Sequence, residues 1–149
     1  MIREDVTARV LTAKRELGFT WRGIAEKLGP GSVVFYTAAL LGHHALTTEE
    51  AENAAALLHL DEGAAQLLSE IPGERGRGQN MPPNDPLIYR FYEIVQGYGP
   101  TLKALINEEF GDGIMSAIDF TMQIEREPDP KGDRVRITMS GKFLPYKRF

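Results

Sequence analysis

Residues 84–125 read NDPLIYRFYEIVQGYGPTLKALINEEFGDGIMSAIDFTMQIE, and the hydrophobic period changes once within them. Asp85–Pro86 is a helix start. The carboxylate can cap the first free N–H groups, and proline at the first helical position lacks only an N–H that has no helical partner anyway. Leu87, Ile88, Phe91, Ile94, Val95 and Tyr98 then fall on one helical face. Gly99–Pro100 predicts a break, because proline removes a helical donor and its ring presses on the preceding turn. TLKALINEEF predicts a second helix, running to Gly111. Beyond Gly111–Asp112–Gly113 the period falls to two. Ile118, Phe120, Met122 and Ile124 alternate with Asp119, Thr121, Gln123 and Glu125. After the turn DPKGD, Val135, Ile137 and Met139 alternate with Arg134, Arg136, Thr138 and Ser140, which completes a β-hairpin.

Upstream, every segment reads as helix. Asp5 to Leu17 carries Val6, Val10, Leu11 and Leu17 and ends at Gly18. Thr20 can cap WRGIAEKLG, and Ser32 can cap VVFYTAALLG. Thr47 or Thr48 can cap EEAENAAALLHL, whose first turn is acidic where the helix dipole favours it. Asp61 can cap EGAAQLLSEI, which Pro72 stops. Five short helices with short connections predict a compact bundle over residues 1–71. Residues 72–86, PGERGRGQNMPPNDP, hold four prolines and three glycines and almost no large apolar side chain. They read as a linker, 72–85, before a C-terminal unit at 86–149. The predicted class is therefore mainly α with a small α+β part. Two helices and a hairpin make a thin core, since an isolated hairpin is marginal in water. An obligate oligomer, with the C-terminal unit at its centre, follows as the expectation.

Composition narrows the function classes. The chain has 149 residues, a net charge of −4 and no cysteine. The acidic balance disfavours generic binding to nucleic acid or anionic membrane. The missing cysteines exclude disulfides, thiol nucleophiles and Cys-based metal sites. No apolar run approaches the roughly 20 residues that cross a bilayer. MIREDVTARVLTAKREL places charges where a signal peptide needs an apolar core, so a cytoplasmic protein is expected.

The segment TWRGIAEKLGPGSVVFYTAALLG resembles a helix-turn-helix, with Ala25 and Gly29 at its packing and turn positions. The charges oppose that use. Residues 1–85 hold eight Lys and Arg against twelve Asp and Glu, and Ser32 to Leu41 holds no basic residue. Neutralising phosphates supplies most DNA affinity, so a structural helix pair is expected rather than a DNA reader. His43 and His44 are adjacent, so they point in different directions and do not make the spaced pair of a helical metal site. His59 stands apart, and no metal is expected. Ser116, in GDGIMSAIDF, has no histidine after residue 59 to activate it. It reads equally as a serine at a strand start or as a hydrogen-bond donor in a site. Arg90 and Glu93 lie three apart beside the apolar stripe, with Gly97 between them on the helical wheel. Physics alone favours an ordinary ion pair there, with a small-anion pocket as the alternative.

The run from Asn84 to Glu125, above all YRFYE and EEFGDGIMSAIDF, with the ending SGKFLPYKRF, closely resembles the cyanase family (cyanate hydratase, or cyanate lyase). The helical N-terminal unit, including ALLGHHAL, fits as well, and the likeness is weakest in ERGRGQNMP. The resemblance implies a repressor-like N-terminal domain not used on DNA. It also implies a C-terminal dimerisation domain and a homodecamer of five dimers whose active sites are shared between chains. The family's catalytic arginine, glutamate and serine fall on Arg90, Glu93 and Ser116. The implied reaction joins cyanate and bicarbonate, releases carbon dioxide and leaves carbamate, which yields ammonia and a second carbon dioxide. Bicarbonate is the co-substrate, and no metal or organic cofactor is implied. The rival reading is a helix-turn-helix transcriptional regulator with an oligomerising C-terminal domain.

Overall fold

A computed structural model describes residues 1–73 and 81–149. Of the linker 72–85, residues 74–80, with Arg75 and Arg77, lie outside the described residues. The element order is α1 (Arg3–Glu16), α2 (Trp21–Leu28), α3 (Val33–Leu40), α4 (Thr48–Leu57), α5 (Glu62–Ser69), α6 (Pro86–Phe110), β1 (Gly113–Glu127) and β2 (Arg134–Pro145). The strands form one two-stranded sheet.

The predicted capping residues do their work. The Thr20 side chain accepts from Gly23 N–H at 3.0 Å, and Asp61 accepts from Ala64 N–H at 2.9 Å. Thr47 and Glu50 close a reciprocal box, each side chain accepting from the other's backbone N–H at 3.2 and 2.9 Å. At the end of α1, Gly18 adopts φ +71°. That left-handed step lets Phe19 N–H reach back to the Lys14 carbonyl at 3.0 Å, a turn for which glycine carries no steric cost.

Val6, Val10, Ile24, Leu40, Leu58 and Leu68 are sealed in the bundle core. Ala39, Ala51, Ala54 and Ala64 are buried with them, and small side chains let helices approach closely. Tyr36 brings a hydroxyl into this core. It donates to Glu50 Oε1 at 2.8 Å and accepts from Gly31 N–H at 3.3 Å. A Cβ on Gly31 would stand 2.8 Å from the Tyr36 ring, so the α2–α3 turn needs glycine for space.

By packing, the chain divides into two units. One is Met1–Gly76 with Met122–Thr138; the other is Arg77–Thr121 with Met139–Phe149. The outer part of the hairpin thus packs with the helical bundle. Ser32 Oγ donates to the Met122 carbonyl at 2.9 Å, and Arg22 Nη2 donates to the Ile124 carbonyl at 3.1 Å. The hairpin tip is closed by Gly132 N–H to Asp129 O at 3.0 Å. Flanking ion pairs join Arg126 to Asp133 and Arg136 to Glu127.

The C-terminal unit differs from expectation in one element. The predicted two helices, separated at Gly99–Pro100, are one helix of 25 residues with Pro100 inside it. A proline cancels one donor and crowds the carbonyl four residues back, which bends a helix without obliging it to stop. A Cβ at Gly97 or Gly99 would meet nothing within 4 Å among the described residues, so the turn before the ring is uncrowded. The unit is therefore one long helix with a hairpin rather than two helices with a hairpin. No residue of α6 is buried. Leu87, Phe91, Ile94, Val95, Leu102 and Leu105 all stand exposed along it.

Candidate active site

Asp85 fixes where α6 begins. Its carboxylate accepts from Leu87 and Ile88 N–H, both at 2.9 Å. Arg90 and Glu93 follow on the next turn. Arg90 Nη1 lies 3.0 Å from Glu93 Oε2. Arg90 Nε donates to the Pro86 carbonyl at 3.3 Å, and the guanidinium sits 5.5 Å from the Tyr89 ring centroid. The glutamate, the carbonyl and the ring hold the cation in one direction while both charged side chains stay open, 61% and 44% exposed. An exposed pair of this kind is worth about 0.2–1 kcal/mol, so its geometry says more about chemistry than about stability.

Ser116 sits on β1 in the opposite condition. It is buried, 5% exposed. Its Oγ accepts from Ile118 N–H at 3.0 Å and from Asp119 N–H at 2.9 Å. A serine hydroxyl has two acceptor sites and one proton. Both acceptor sites are engaged by the main chain, and the proton remains to donate. This local turn interrupts the strand's alternation: Ser116 is inward while Ile118, two residues on, is 98% exposed. The neighbouring strand lies close. A Cβ built on Gly141 would collide with the Ser116 carbonyl oxygen and stand 2.6 Å from Met115 Cγ.

Of the three residues predicted for a site, Arg90 and Glu93 are joined directly. The Ser116 hydroxyl bonds to its own strand, and among the described residues no hydrogen bond joins it to the other two. Sequence reading missed the N–H pair of Ile118 and Asp119 and the close approach at Gly141. The available signal was a serine in the same phase as Phe120 and Met122, where the pattern otherwise places apolar residues. The histidines take local roles: His44 stacks on Phe35 at 5.2 Å, and His59 ends α4 at φ +53°. Among the described residues no group of three or more His, Asp or Glu side chains is placed to hold a metal ion. No helix among them is long and apolar enough to cross a membrane.

Two family models together span almost the whole chain. "Cyanate hydratase, N-terminal" matches residues 3–72, and "Cyanate lyase C-terminal domain" matches residues 80–148. The chain belongs to the cyanate hydratase family. It is 54% identical over 149 residues to the cyanate hydratase of Ralstonia pickettii, covering all of both chains. The cyanate hydratase of Dechloromonas aromatica is equally similar over the same length. In three dimensions the chain is similar to the crystal structure of cyanase from T. urticae, with a TM-score of 0.82 at 38% identity. That match covers 94% of this chain and 96% of the other. The helix-turn-helix likeness is therefore one of shape, and the regulator reading finds no support in these relatives. The N-terminus of α3, where a DNA-reading helix would meet base edges, is bonded through Ser32 to the protein's own hairpin.

Proposed function

We propose that this chain is a bicarbonate-dependent cyanate hydratase, a carbon–nitrogen lyase, with Arg90, Glu93 and Ser116 as its catalytic residues. The observation that carries the reading is the full-length likeness to cyanate hydratases at 54% identity.

The difficulty of the reaction is electrostatic. Both substrates are anions, and in a dry site their repulsion rises unless fixed donors and cations oppose it. Arg90 supplies a permanent charge with a planar fork of donors suited to an oxyanion. The Ser116 hydroxyl supplies one oriented proton for the second anion. Held in contact, the two substrates lose the entropic part of the barrier. A bicarbonate oxygen attacks the cyanate carbon, and the cyanate nitrogen takes up two protons, the bicarbonate's own and one from solvent. The adduct then cleaves its carbon–oxygen bond to release carbon dioxide and carbamate. Carbamate takes a further proton and breaks its carbon–nitrogen bond to give ammonia and a second carbon dioxide. Glu93 orients Arg90 through the 3.0 Å pair and relays a proton to the cyanate nitrogen. Bicarbonate is a substrate in this scheme, and no step requires a metal or organic cofactor.

Self-association belongs to the same proposal, as a homodecamer of five dimers in the cytoplasm with sites completed between chains. A 25-residue amphipathic helix with no buried residue gains nothing from its apolar face while single. Covering that face with other copies supplies the missing burial and can bring Ser116 of one chain towards Arg90 and Glu93 of another.

Ammonia release from cyanate by purified protein tests the reading, with and without bicarbonate in CO2-free buffer. Bicarbonate-dependent ammonia is expected. None under either condition, from a folded oligomer, would sink the assignment.

A further inference from the structure

We propose that Gly141 is a positioning residue for Ser116, an inference that rests on the site reading above. Three observations meet at one place. Ser116 is a buried polar side chain, and its Oγ is fixed by two backbone N–H groups, those of Ile118 and Asp119. The strand must depart from regular extension for residues 118 and 119 to turn both N–H groups onto one oxygen two and three residues back. Opposite it, β2 comes so close that a side chain at 141 would meet the Ser116 carbonyl oxygen itself and Met115 Cγ.

The carbonyl contact is the decisive one. A methionine side chain can swing away from a new methyl group, but the backbone oxygen of Ser116 moves only if the strand moves. Gly141 has no φ in the left-handed range. Alanine there is permitted by its own backbone and refused by its neighbour. The absence of a side chain thus lets β2 press the Ser116 turn into its observed shape. That shape occupies both acceptor sites of the hydroxyl and leaves its proton as the one group it can offer. Ser116 therefore serves the site as a single oriented donor to an anion, and the direction of its proton is set by Ile118 and Asp119 N–H and by the backbone of β2.

The test compares Gly141→Ala with Ser116→Ala and with Gly73→Ala, whose added methyl meets nothing within 4 Å among the described residues. Gly141→Ala is expected to lose roughly tenfold to a hundredfold in kcat, as small misplacements of a catalytic group do. The KM for cyanate is expected to change less. The Ile118 and Asp119 amides should exchange hydrogen faster, as in Ser116→Ala, while Gly73→Ala behaves as wild type in every respect. If Gly141→Ala does not assemble, the Gly141→Ala/Met115→Ala variant replaces it. That variant clears the side-chain contact, keeps the carbonyl contact, and should show the same loss. A folded Gly141→Ala enzyme with wild-type kcat and unchanged exchange at 118 and 119 overturns the inference, even where Ser116→Ala is inactive. Full activity in Ser116→Ala overturns the site reading itself.

Discussion

The Ser32 hydroxyl donates to the Met122 carbonyl at 2.9 Å while its oxygen accepts from Val34 and Phe35 N–H at 3.1 and 3.4 Å. One side chain therefore starts α3 and closes part of the edge of β1. Arg22, inside α2, donates to the carbonyl two residues along, that of Ile124. Carbonyls two apart on a strand point the same way, so both donors meet the same side of β1. An open edge invites pairing with foreign strands, and here two helix-borne donors stand in for a third strand.

Separating these two jobs gives the first prediction. Ser32→Ala should cost about 1 kcal/mol for the lost cap and about 1 kcal/mol more for the unpaired carbonyl. Ser32→Asp keeps the cap but sets an acceptor-only carboxylate against the Met122 carbonyl, so it should recover at most the first part. Thermal or urea denaturation of the variants reads the difference.

The same contact bears on DNA. The helix that would read bases carries no basic residue, and its first turn is bonded to the hairpin. Fluorescence anisotropy with a labelled duplex should show no salt-dependent binding between 50 and 200 mM salt, where phosphate-neutralising proteins lose affinity steeply. A steep salt slope would restore the regulator reading.

Arg90 and Glu93 should respond in activity rather than stability. Arg90→Lys keeps the charge but loses the planar fork, and kcat/KM should fall by about 10²–10³, the scale of one lost transition-state donor. Glu93→Gln should lower kcat strongly if the carboxylate moves a proton; near wild-type turnover would eliminate the relay and leave only orientation. Melting temperatures should barely change, since an exposed pair contributes about 0.2–1 kcal/mol.

Glu50 predicts an acid limb of stability. Burial alone would raise its pKa, but hydrogen bonds from Thr47 N–H, the Tyr36 hydroxyl and the Thr47 side chain outweigh this and hold it below its ordinary value of 4.5. A carboxyl lowered by folding stabilises the fold above its unfolded pKa, and that contribution is lost as pH falls through the folded value. Glu50→Gln should therefore be less stable than wild type at pH 7, and the gap should narrow as pH falls below the ordinary value of 4.5 and close only below the lowered folded value. Asp61, lowered chiefly by Ala64 N–H and then by Arg9, adds to the wild-type limb in the same direction.

Charges on the exposed face of α6 test assembly. Ile94→Asp or Leu105→Glu should leave the N-terminal bundle folded, because neither residue lies in its core. Both should dissociate the oligomer and abolish cyanate turnover together, as sedimentation and ammonia assays would show. Fully active dissociated chains would refute sites completed between copies.

Helix starts were legible because capping is local: Thr20, Ser32, Thr47, Asp61 and Asp85 each satisfy N–H groups two or three residues away. Periodicity, and the proline and glycine punctuation around it, likewise marked the bundle and the hairpin. Arg90 and Glu93 were legible as a pair because three residues along a helix is one turn. Pro100 reads as a stop because sequence records what proline removes, while the rest of the helix decides whether the loss can be borne.

The sequence by itself determined the five N-terminal helices and the hairpin, the absence of a basic DNA-reading face, the three candidate residues and the family. Each of these depends on residues near one another in the chain or on composition. Only the tertiary structure decided the rest. It bonded the hairpin edge to Ser32 and Arg22 and brought Gly141 against Ser116. These contacts join residues up to 102 positions apart, as in Arg22 and Ile124. No local pattern encodes them, because the free energy that selects them comes from packing whole elements together.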